Sequence, residues 1–406
     1  MKILIPNATS QKNLGDQAML EALLGLLKMA SPNANVTVHQ IGSSTRNANK
    51  GNSKASLLNW VAFSDLGFLQ RVARTLCACS IIVFEYFGFR YTIKIKGLAQ
   101  ILKDYKDTDL VIFVGNGVLR SRKGLKQVIF LLLNLLPYAF ALILKKPVLV
   151  GPISLGPFAY AWQARFVFSV MKKVNVLMIR DSISWSLVKK QGFRNIVSSF
   201  DHALLSNYVN SKASKSAHNI NVGLSLRNWY LGYEQSGLEF EVVHALLRVN
   251  RIHRMIIHPI VQVNAPEHND KDLEVSLRIT NLLKDKGMAV QSPLILSSVN
   301  DACRTYGRMD LVVGMRMHAN ILAYTQGVSF VAISYEYKTK GIAESLGMSK
   351  YVIDCESVEE KELSELILVA LKNRFQLNRA ILNKLPQIKT KIIADFNTNF
   401  QRVTSL

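Results

Sequence analysis

The chain has 406 residues, 49% hydrophobic and 19% charged, a balance that excludes a disordered protein and suits two globular domains. Lysine and arginine number 50 against 28 acids, a formal net charge of +22, which points to a polyanion: nucleic acid, an acidic membrane leaflet or a phosphorylated substrate. Four cysteines (Cys77, Cys79, Cys303, Cys355) exclude a disulfide scaffold, and the apolar part of Met1–Pro6 is too short for a signal peptide, so a cytoplasmic protein is expected.

A first strand is expected over Lys2–Asn7. A loop carrying Asn13-Leu14-Gly15-Asp16 follows, then a helix over Gln17–Lys28 whose Ala18, Leu20, Leu23, Leu24 and Leu27 recur at helical spacing. Asn35–Ile41 alternates as a strand does, and the polar residues 42–55 read as a loop. Residues 56–97 mix Leu57, Leu58, Trp60, Val61, Phe63, Leu66, Phe68, Leu69 and the run Ile81–Phe89 with Arg71, Arg74, Arg90, Lys94 and Lys96. That mixture describes either a surface lying on an anionic membrane or an insertion packed on the core. Val128–Leu144 is a 17-residue apolar run, at the short limit for crossing a bilayer. Asn134 and Pro137 interrupt it, and it lies between the strand-like segments Asp109–Gly115 and Pro147–Ile153, so a buried crossover helix is expected rather than a membrane span.

Further strands are expected at Val148–Ile153, Val176–Arg180 and Asn195–Phe200, and a linker at 207–219. A second alternating set follows, with strands at Asn221–Leu226, Arg254–Pro259, Ala289–Leu296, Asp310–Val313, Ser329–Ser334 and Tyr351–Ile353. Its helices fall at Phe240–Leu247, Asp272–Lys284, Asn300–Tyr306, His318–Gln326, Lys340–Leu346 and Glu359–Asn373. The expected architecture is α/β, two Rossmann-like doubly wound domains facing a cleft: residues 1–210, residues 220–375, and a basic C-terminal helix, 376–406, packing back on the first.

Asp16 falls where a carboxylate caps the helix after the first strand, and Gly15 allows a tight loop; the same residues could instead offer Asn13 and Asp16 to sugar hydroxyls. Gly115-Asn116-Gly117 is a weak phosphate-loop signal, better explained by a tight turn, and Ser154-Leu155-Gly156-Pro157 closes another strand similarly. Cysteine and histidine spacings give no metal site. Neither a serine-hydrolase elbow nor a nucleic-acid-binding module is present, so no nucleic-acid partner is expected. The most informative segment is Leu311–Leu346. A strand ending at Gly314 delivers Arg316 and His318 just before a helix, and the next strand delivers Tyr335, Tyr337 and Lys338. Guanidinium, imidazole, ammonium and helix N–H groups together suit an anion bearing carboxylate and phosphate, and imidazole is the side-chain type suited to proton transfer near neutrality.

Asn-Leu-Gly-Asp at 13–16, Ser-Leu-Gly-Pro at 154–157, Ile-Arg-Asp-Ser-Ile-Ser at 179–184, Gly-Met-Arg-Met-His at 314–318 and Tyr-Glu-Tyr-Lys at 335–338 resemble the polysaccharide pyruvyltransferase family over roughly residues 1–350. Gly115-Asn116-Gly117 departs from the consecutive glycines more usual there, and 56–97 looks like an addition. The resemblance implies a fold like the GT-B glycosyltransferases, phosphoenolpyruvate as donor and no cofactor. It implies two hydroxyls of one sugar as acceptor, in a cell-surface glycan or its lipid-linked precursor. It further implies that Arg316 and the backbone near Met317 and His318 hold the donor, with Arg227 adding a guanidinium, Lys338 facing the leaving phosphate and His318 moving the proton. His258 joins the substrate-binding set, and Asn13, Asp16 and Asn116 the acceptor side. Two alternatives stay open: a glycosyltransferase using a nucleotide-sugar, and a non-catalytic scaffold on a membrane surface, the latter resting on 56–97 and leaving 314–338 without a purpose. An enzyme peripheral to the inner membrane is compatible with the same charge.

Overall fold

The computed structural model describes residues 1–8, 13–41, 53–61, 68–87, 96–209, 219–228, 235–265 and 270–405. Most of the expected loop 42–55, Phe63, Leu66, Arg90, Lys94 and most of the expected linker lie outside these residues. The chain divides into two compact units, the first comprising Met1–Ser10, Met19–Asp201 and Ile392–Leu406, the second Gln11–Ala18 and His202–Lys391.

In the first unit, seven strands are β1 (Lys2–Ala8), β2 (Asn35–Gln40), β3 (Ser53–Ala55), β4 (Leu110–Phe113), β5 (Val148–Ile153), β6 (Val176–Ile179) and β7 (Ile196–Ser198). They form one sheet in the order β3-β2-β1-β4-β5-β6-β7, every pair parallel. Parallel neighbours need crossovers, and helices α1 (Leu14–Ala30), α2 (Leu57–Val61), α3 (Phe68–Phe87), α4 (Lys96–Asp107), α5 (Leu125–Ile143), α6 (Ala161–Met171) and α7 (Ser182–Lys190) supply them. The central strands β4, β5 and β6 are apolar and buried throughout, as a sheet covered on both faces requires. Ser53–Ala55, expected in a loop, pairs with β2 as an edge strand. The apolar run is the β4–β5 crossover α5: Leu131, Leu135, Tyr138, Phe140 and Ala141 of its latter part are buried, although length and composition alone would let it cross a membrane. Residues 56–97 divide between core and surface: Leu57, Leu58 and Val61 are buried, as are Ala78 and Ile81 on one side of α3.

The second unit contains β8 (Ile220–Ser225), β9 (Met255–Val261), the antiparallel ribbon β10 (Asn264–Ala265) and β11 (Asp270–Lys271), then β12 (Ala289–Val290), β13 (Leu294–Ile295), β14 (Leu311–Gly314), β15 (Phe330–Ser334) and β16 (Val352–Asp354). Its main sheet is parallel in the order β12-β9-β8-β14-β15-β16, with β13 also pairing β9. The single strand expected at Ala289–Leu296 is therefore two short ones on the same neighbour. Its helices are α8 (Gln235–Asn250), α9 (Asp272–Asp285), α10 (Val299–Gly307), α11 (Met317–Thr325), α12 (Tyr337–Leu346), α13 (Glu360–Lys372) and α14 (Arg374–Thr404). α14 begins in the second unit, and its residues from Ile392 onward belong to the first.

Two local constraints in the first unit are testable. At the ends of β4 and β5 the backbones approach so closely that a Cβ at Gly151 would lie 2.4 Å from the Val114 carbonyl oxygen. Gly151→Ala should destabilise by about 1–3 kcal/mol through this backbone clash. Gly25→Ala, in the interior of α1 with nothing within 4 Å of the added carbon, should stabilise by about 0.5–1 kcal/mol. Urea unfolding of both variants checks the opposite signs. Asp104 accepts from His39 Nε2 at 2.9 Å and from Lys54 Nζ at 2.7 Å, tying α4 to β2 and β3. Burial pushes its carboxyl up, but hydrogen bonds from His39, Lys54 and Gln100 outweigh this and bring it down to about 2. A carboxyl held below its unfolded value lends stability above the ordinary carboxylate range and loses it as pH falls toward the folded value. Asp104→Asn should therefore be less stable than wild type at pH 7, with the gap closing between about pH 4 and pH 2 in urea titrations.

Candidate functional site

The strand order of the second sheet reverses between β8 and β14. In open parallel sheets ligands collect outside the carboxyl ends of the strands at such a reversal. Two guanidiniums stand there. Arg227 lies two residues beyond β8 and Arg316 two residues beyond β14. Arg227 stacks over the Tyr335 ring at 4.8 Å and donates from Nη1 to Tyr335 Oη at 3.1 Å. Tyr335 itself directly follows β15. Arg316 occupies the cap position of α11 in extended backbone. Its side chain donates from Nε to Asp272 Oδ2 at 3.0 Å and from Nη2 to Asp272 Oδ1 at 2.6 Å, a bidentate pair. Asp272 opens α9, is fully buried, and also accepts the Val263 N–H at 3.0 Å. Burial raises its carboxyl, and the charge and hydrogen bonds of Arg316, the Val263 N–H and the nearby Arg227 oppose that rise.

His318 stands in the first turn of α11, half-buried. It is met by a loop from the far end of the sequence. A Cβ on Gly15 would fall 2.1 Å from the His318 Cγ and Nδ1 atoms, so the glycine backbone lies directly against the imidazole ring. Gly15 and His318 both belong to the second unit. The turn before α1 is fixed by Asn13: its carbonyl accepts the Gln17 N–H at 3.0 Å, its Oδ1 accepts the Gly15 N–H at 3.2 Å, and its Nδ2 donates to Asp16 Oδ2 at 2.8 Å. The cap is thus Asn13, and α1 starts three residues before the expected Gln17; Asp16 sits inside the first turn, returning a bond to the cap side chain. Asn13 also bridges to Val263, whose N–H holds Asp272. The chain of contacts runs from Asp16 through Asn13, Val263 and Asp272 to Arg316.

The remaining expected residues divide. Met317 is buried at the start of α11 beside Arg316. Lys338, expected to face the leaving phosphate, follows β15 in the first turn of α12, and its ammonium pairs with Glu336 at 2.8 Å. His258 donates from Nε2 to Asn221 Oδ1 at 2.9 Å, and burial lowers its pKa. Asn221 lies near the amino end of β8, so this imidazole leans away from the strand ends that carry Arg227 and Arg316, and His258 is not part of their cluster. Asn116 belongs to the first unit, where its carbonyl accepts the Ser154 N–H at 2.9 Å and its Oδ1 accepts the Val118 N–H at 3.3 Å. Asn13 and Asp16 belong to the second unit, so the three residues expected to form one acceptor face do not share a unit. Gly115, at φ +89°, turns beside the Pro152 carbonyl, which a Cβ would approach to 2.3 Å, and the tight turn accounts for it.

The motifs at 154–157 and 179–184 interlock in the first unit's core. Arg180, 1% exposed, donates from Nε to Ser154 Oγ at 3.0 Å and from Nη1 to Asp201 at 2.6 Å. The Leu155 N–H donates to Ser184 Oγ at 2.9 Å, and Asp181 caps α7 by accepting the Ser184 N–H. Asp272 and the Gly15–His318 contact escaped the sequence reading; an acid opening a helix beyond a strand is common, and the contact joins residues 303 positions apart. Among the described residues no group of three or more His, Cys, Asp or Glu side chains could hold a metal ion.

Compared with known families, residues 13–337 match the model described as polysaccharide pyruvyl transferase. The amylovoran biosynthesis protein AmsJ of Erwinia amylovora is 24% identical over 287 residues, covering 63% of this chain and 66% of its own, just under two thirds of that relative. Among solved structures, the UDP-GlcNAc 2-epimerase of Neisseria meningitidis bound to UDP-GlcNAc superposes with TM-score 0.58 at 10% identity, over 99% of this chain and 100% of that one. The Anabaena Alr3699/HepE complex with UDP and glucose gives 0.57 at 13%, over all of both chains. The Methanocaldococcus jannaschii UDP-GlcNAc 2-epimerase gives 0.54 at 11%, over 91% and 93%. At these identities the likeness establishes the fold, GT-B-like with two parallel-sheet α/β domains, and nothing finer.

The Gly15–His318 contact makes a sharp prediction. Gly15→Ala should cost about 1–3 kcal/mol by driving a methyl group into the imidazole. The His318 Cβ itself lies 2.5 Å from the added carbon, so only removal of the whole side chain clears the space, and Gly15→Ala/His318→Gly should lie above the sum of the single variants by at least about 1 kcal/mol. Urea unfolding of the four proteins in the cycle measures this coupling, and additivity would refute the close approach.

Proposed function

Because the chain belongs to the polysaccharide pyruvyl transferase family, we propose that it transfers pyruvate from phosphoenolpyruvate to two hydroxyls of one sugar in a polysaccharide or its lipid-linked precursor. The observation that carries this reading is the meeting of Gly15 and His318, which brings the motifs at 13–16 and 314–318 to one point beside Arg316 and Arg227. The name of the Erwinia relative, a biosynthesis protein for amylovoran, supports a glycan acceptor.

Phosphoenolpyruvate carries a carboxylate and a phosphate about an enol carbon. In the proposed reaction the methylene carbon gains a proton, two sugar oxygens bond to the enol carbon, and the carbon–oxygen bond to phosphate breaks. Of the two hydroxyl protons, one balances the new methyl group and the other leaves with phosphate. His318 is assigned the proton transfer to the methylene. Arg227, fixed by Tyr335, is assigned the donor carboxylate. The N-terminus of α11 and Lys338 are assigned the phosphate. Arg316 is assigned a holding role, because its Nε and Nη2 engage Asp272.

Phosphate release from phosphoenolpyruvate, assayed with lipid-linked and free oligosaccharides, tests the reading. His318→Ala should fold normally and lose ~10²-fold or more in kcat. Arg227→Ala should raise KM for phosphoenolpyruvate by roughly 10-fold or more, as expected on removing a hydrogen bond between charged groups. Arg316→Ala should instead lower stability by about 3–5 kcal/mol, because it strands the buried Asp272 carboxylate. Turnover of a UDP-sugar with no phosphate release from phosphoenolpyruvate would replace this reading with glycosyl transfer.

A further inference from the structure

One face of the first unit is apolar where a water-facing surface is normally polar. At 100° per residue, Val72, Leu76, Cys79, Val83 and Phe87 of α3 fall within about 80° of arc, and all five are exposed, Leu76 at 64% and Phe87 at 66%. The buried Ala78 and Ile81 lie on the other side of the helix. Packed beside α3 is α5, whose first turns expose Leu125 (73%), Ile129 and Leu132 on a common face. α6 also packs on α5 and exposes Trp162 and Phe166 one turn apart, with Tyr160 at its cap. Isolated apolar residues on a surface need no explanation, but apolar stripes on three neighbouring helices do.

The charge around this face has one sign. Residues 110–180, which include α5 and α6, contain ten lysines and arginines and no aspartate or glutamate. Arg122, Lys123 and Lys126 are exposed at the start of α5, Arg165 on α6, Lys172 and Lys173 just beyond it, and Arg71 on α3. The single acid of α3, Glu85, is paired with Lys106. A second copy of the chain would be a poor occupant, since a two-fold contact sets identical surfaces face to face and would bring the basic residues together. A plane of anionic headgroups complements the cations and admits the apolar stripes beneath them.

We propose that the α3–α5–α6 face docks the protein on an anionic membrane, with the aromatic and aliphatic stripes entering the headgroup boundary and the flanking lysines and arginines on the phosphates. The inference rests on the first unit alone and stands whatever reaction the second unit performs.

Flotation with vesicles of phosphatidylglycerol and phosphatidylethanolamine, against vesicles of phosphatidylcholine, tests it with the intact chain. Wild type should float with the anionic vesicles at low salt and remain in solution with the neutral ones. Leu76→Ser/Phe87→Ser/Leu125→Ser/Trp162→Ser and, separately, Arg122→Glu/Lys123→Glu/Lys126→Glu should each weaken binding ~10-fold or more while keeping the wild-type circular dichroism. The charge-reversed protein alters only exposed residues, so it keeps the test decisive should the apolar variant misfold. Wild type left in solution with anionic vesicles at low salt overturns the proposal, as does a folded apolar variant that floats like wild type. A wild-type dimer by light scattering that the apolar variant dissociates would overturn it too, identifying the face as an interface between copies.

Discussion

The buried pair of Arg316 and Asp272 is the interaction around which the second unit's strand ends are arranged. Removing both charges from water is costly, and such pairs frequently contribute no more stability than apolar residues of the same volume would. What the pair supplies is position. Asp272 opens α9 and Arg316 caps α11, so their two parallel hydrogen bonds fix the start of one helix against the start of the other. Val263 extends the arrangement, giving its N–H to Asp272 and pairing its backbone with Asn13. Asn13 in turn shapes the loop that lays Gly15 on His318. A ring held in this way has backbone packed against its Cγ and Nδ1, which restricts the directions from which a reacting atom can reach it.

The electrostatics follow from the same arrangement. Arg227, Arg316 and Lys338 are three cations, but Asp272 and Glu336 stand among them, so the fixed side chains, His318 apart, sum to a single positive charge. On the proposed reading, the field on an anionic donor would come largely from orientation. The N-termini of α11 and α12 both open at the strand ends, each contributing partial positive charge and first-turn N–H groups. Arg227 is held differently from Arg316, by the face and hydroxyl of Tyr335 rather than by a bidentate carboxylate. An aromatic partner orients a guanidinium without neutralising it.

Much of this was legible in the sequence because it depends on local periodicity. The alternation of strands and helices, the apolar crossover α5 and the placing of Arg316, His318 and Lys338 after successive strands all follow from patterns a few residues long. The errors share a physical cause, which is dependence on partners distant in the chain. Asp16 was expected to cap α1 because it immediately precedes Gln17, whereas Asn13 is anchored by Val263 and starts the helix earlier. The acids that pair with Arg316 and Lys338 went unread because no local signal marks Asp272, and Glu336 is separated from Lys338 by only one residue without any periodicity to imply a pair. Gly15 suggested a tight loop, but its conformation is ordinary; the space for a side chain is taken by an imidazole 303 residues away. His258 lies on a strand of the correct sheet, and only its bond to Asn221 shows that it faces the wrong end.

The family motifs therefore carry different kinds of information in the two units. In the second unit they assemble around the half-buried His318 at the sheet's reversal point. In the first, Ser154, Arg180, Asp181, Ser184 and Asp201 satisfy one another in the interior, with Arg180 and Asp201 almost wholly removed from solvent. A guanidinium committed to a buried carboxylate and a buried hydroxyl cannot also read a sugar. Those motifs specify how β5, β6 and the turns after them pack, and any protein retaining them keeps that framework whatever it acts on. Acceptor choice in such a fold must then come from residues outside the motifs, on loops whose side chains are not used in holding the core. Asn116 illustrates the difficulty, since its side-chain oxygen serves the turn after β4 and its carbonyl accepts the N–H of Ser154 beyond β5. Resemblance in the first unit is thus informative about architecture and nearly silent about the sugar.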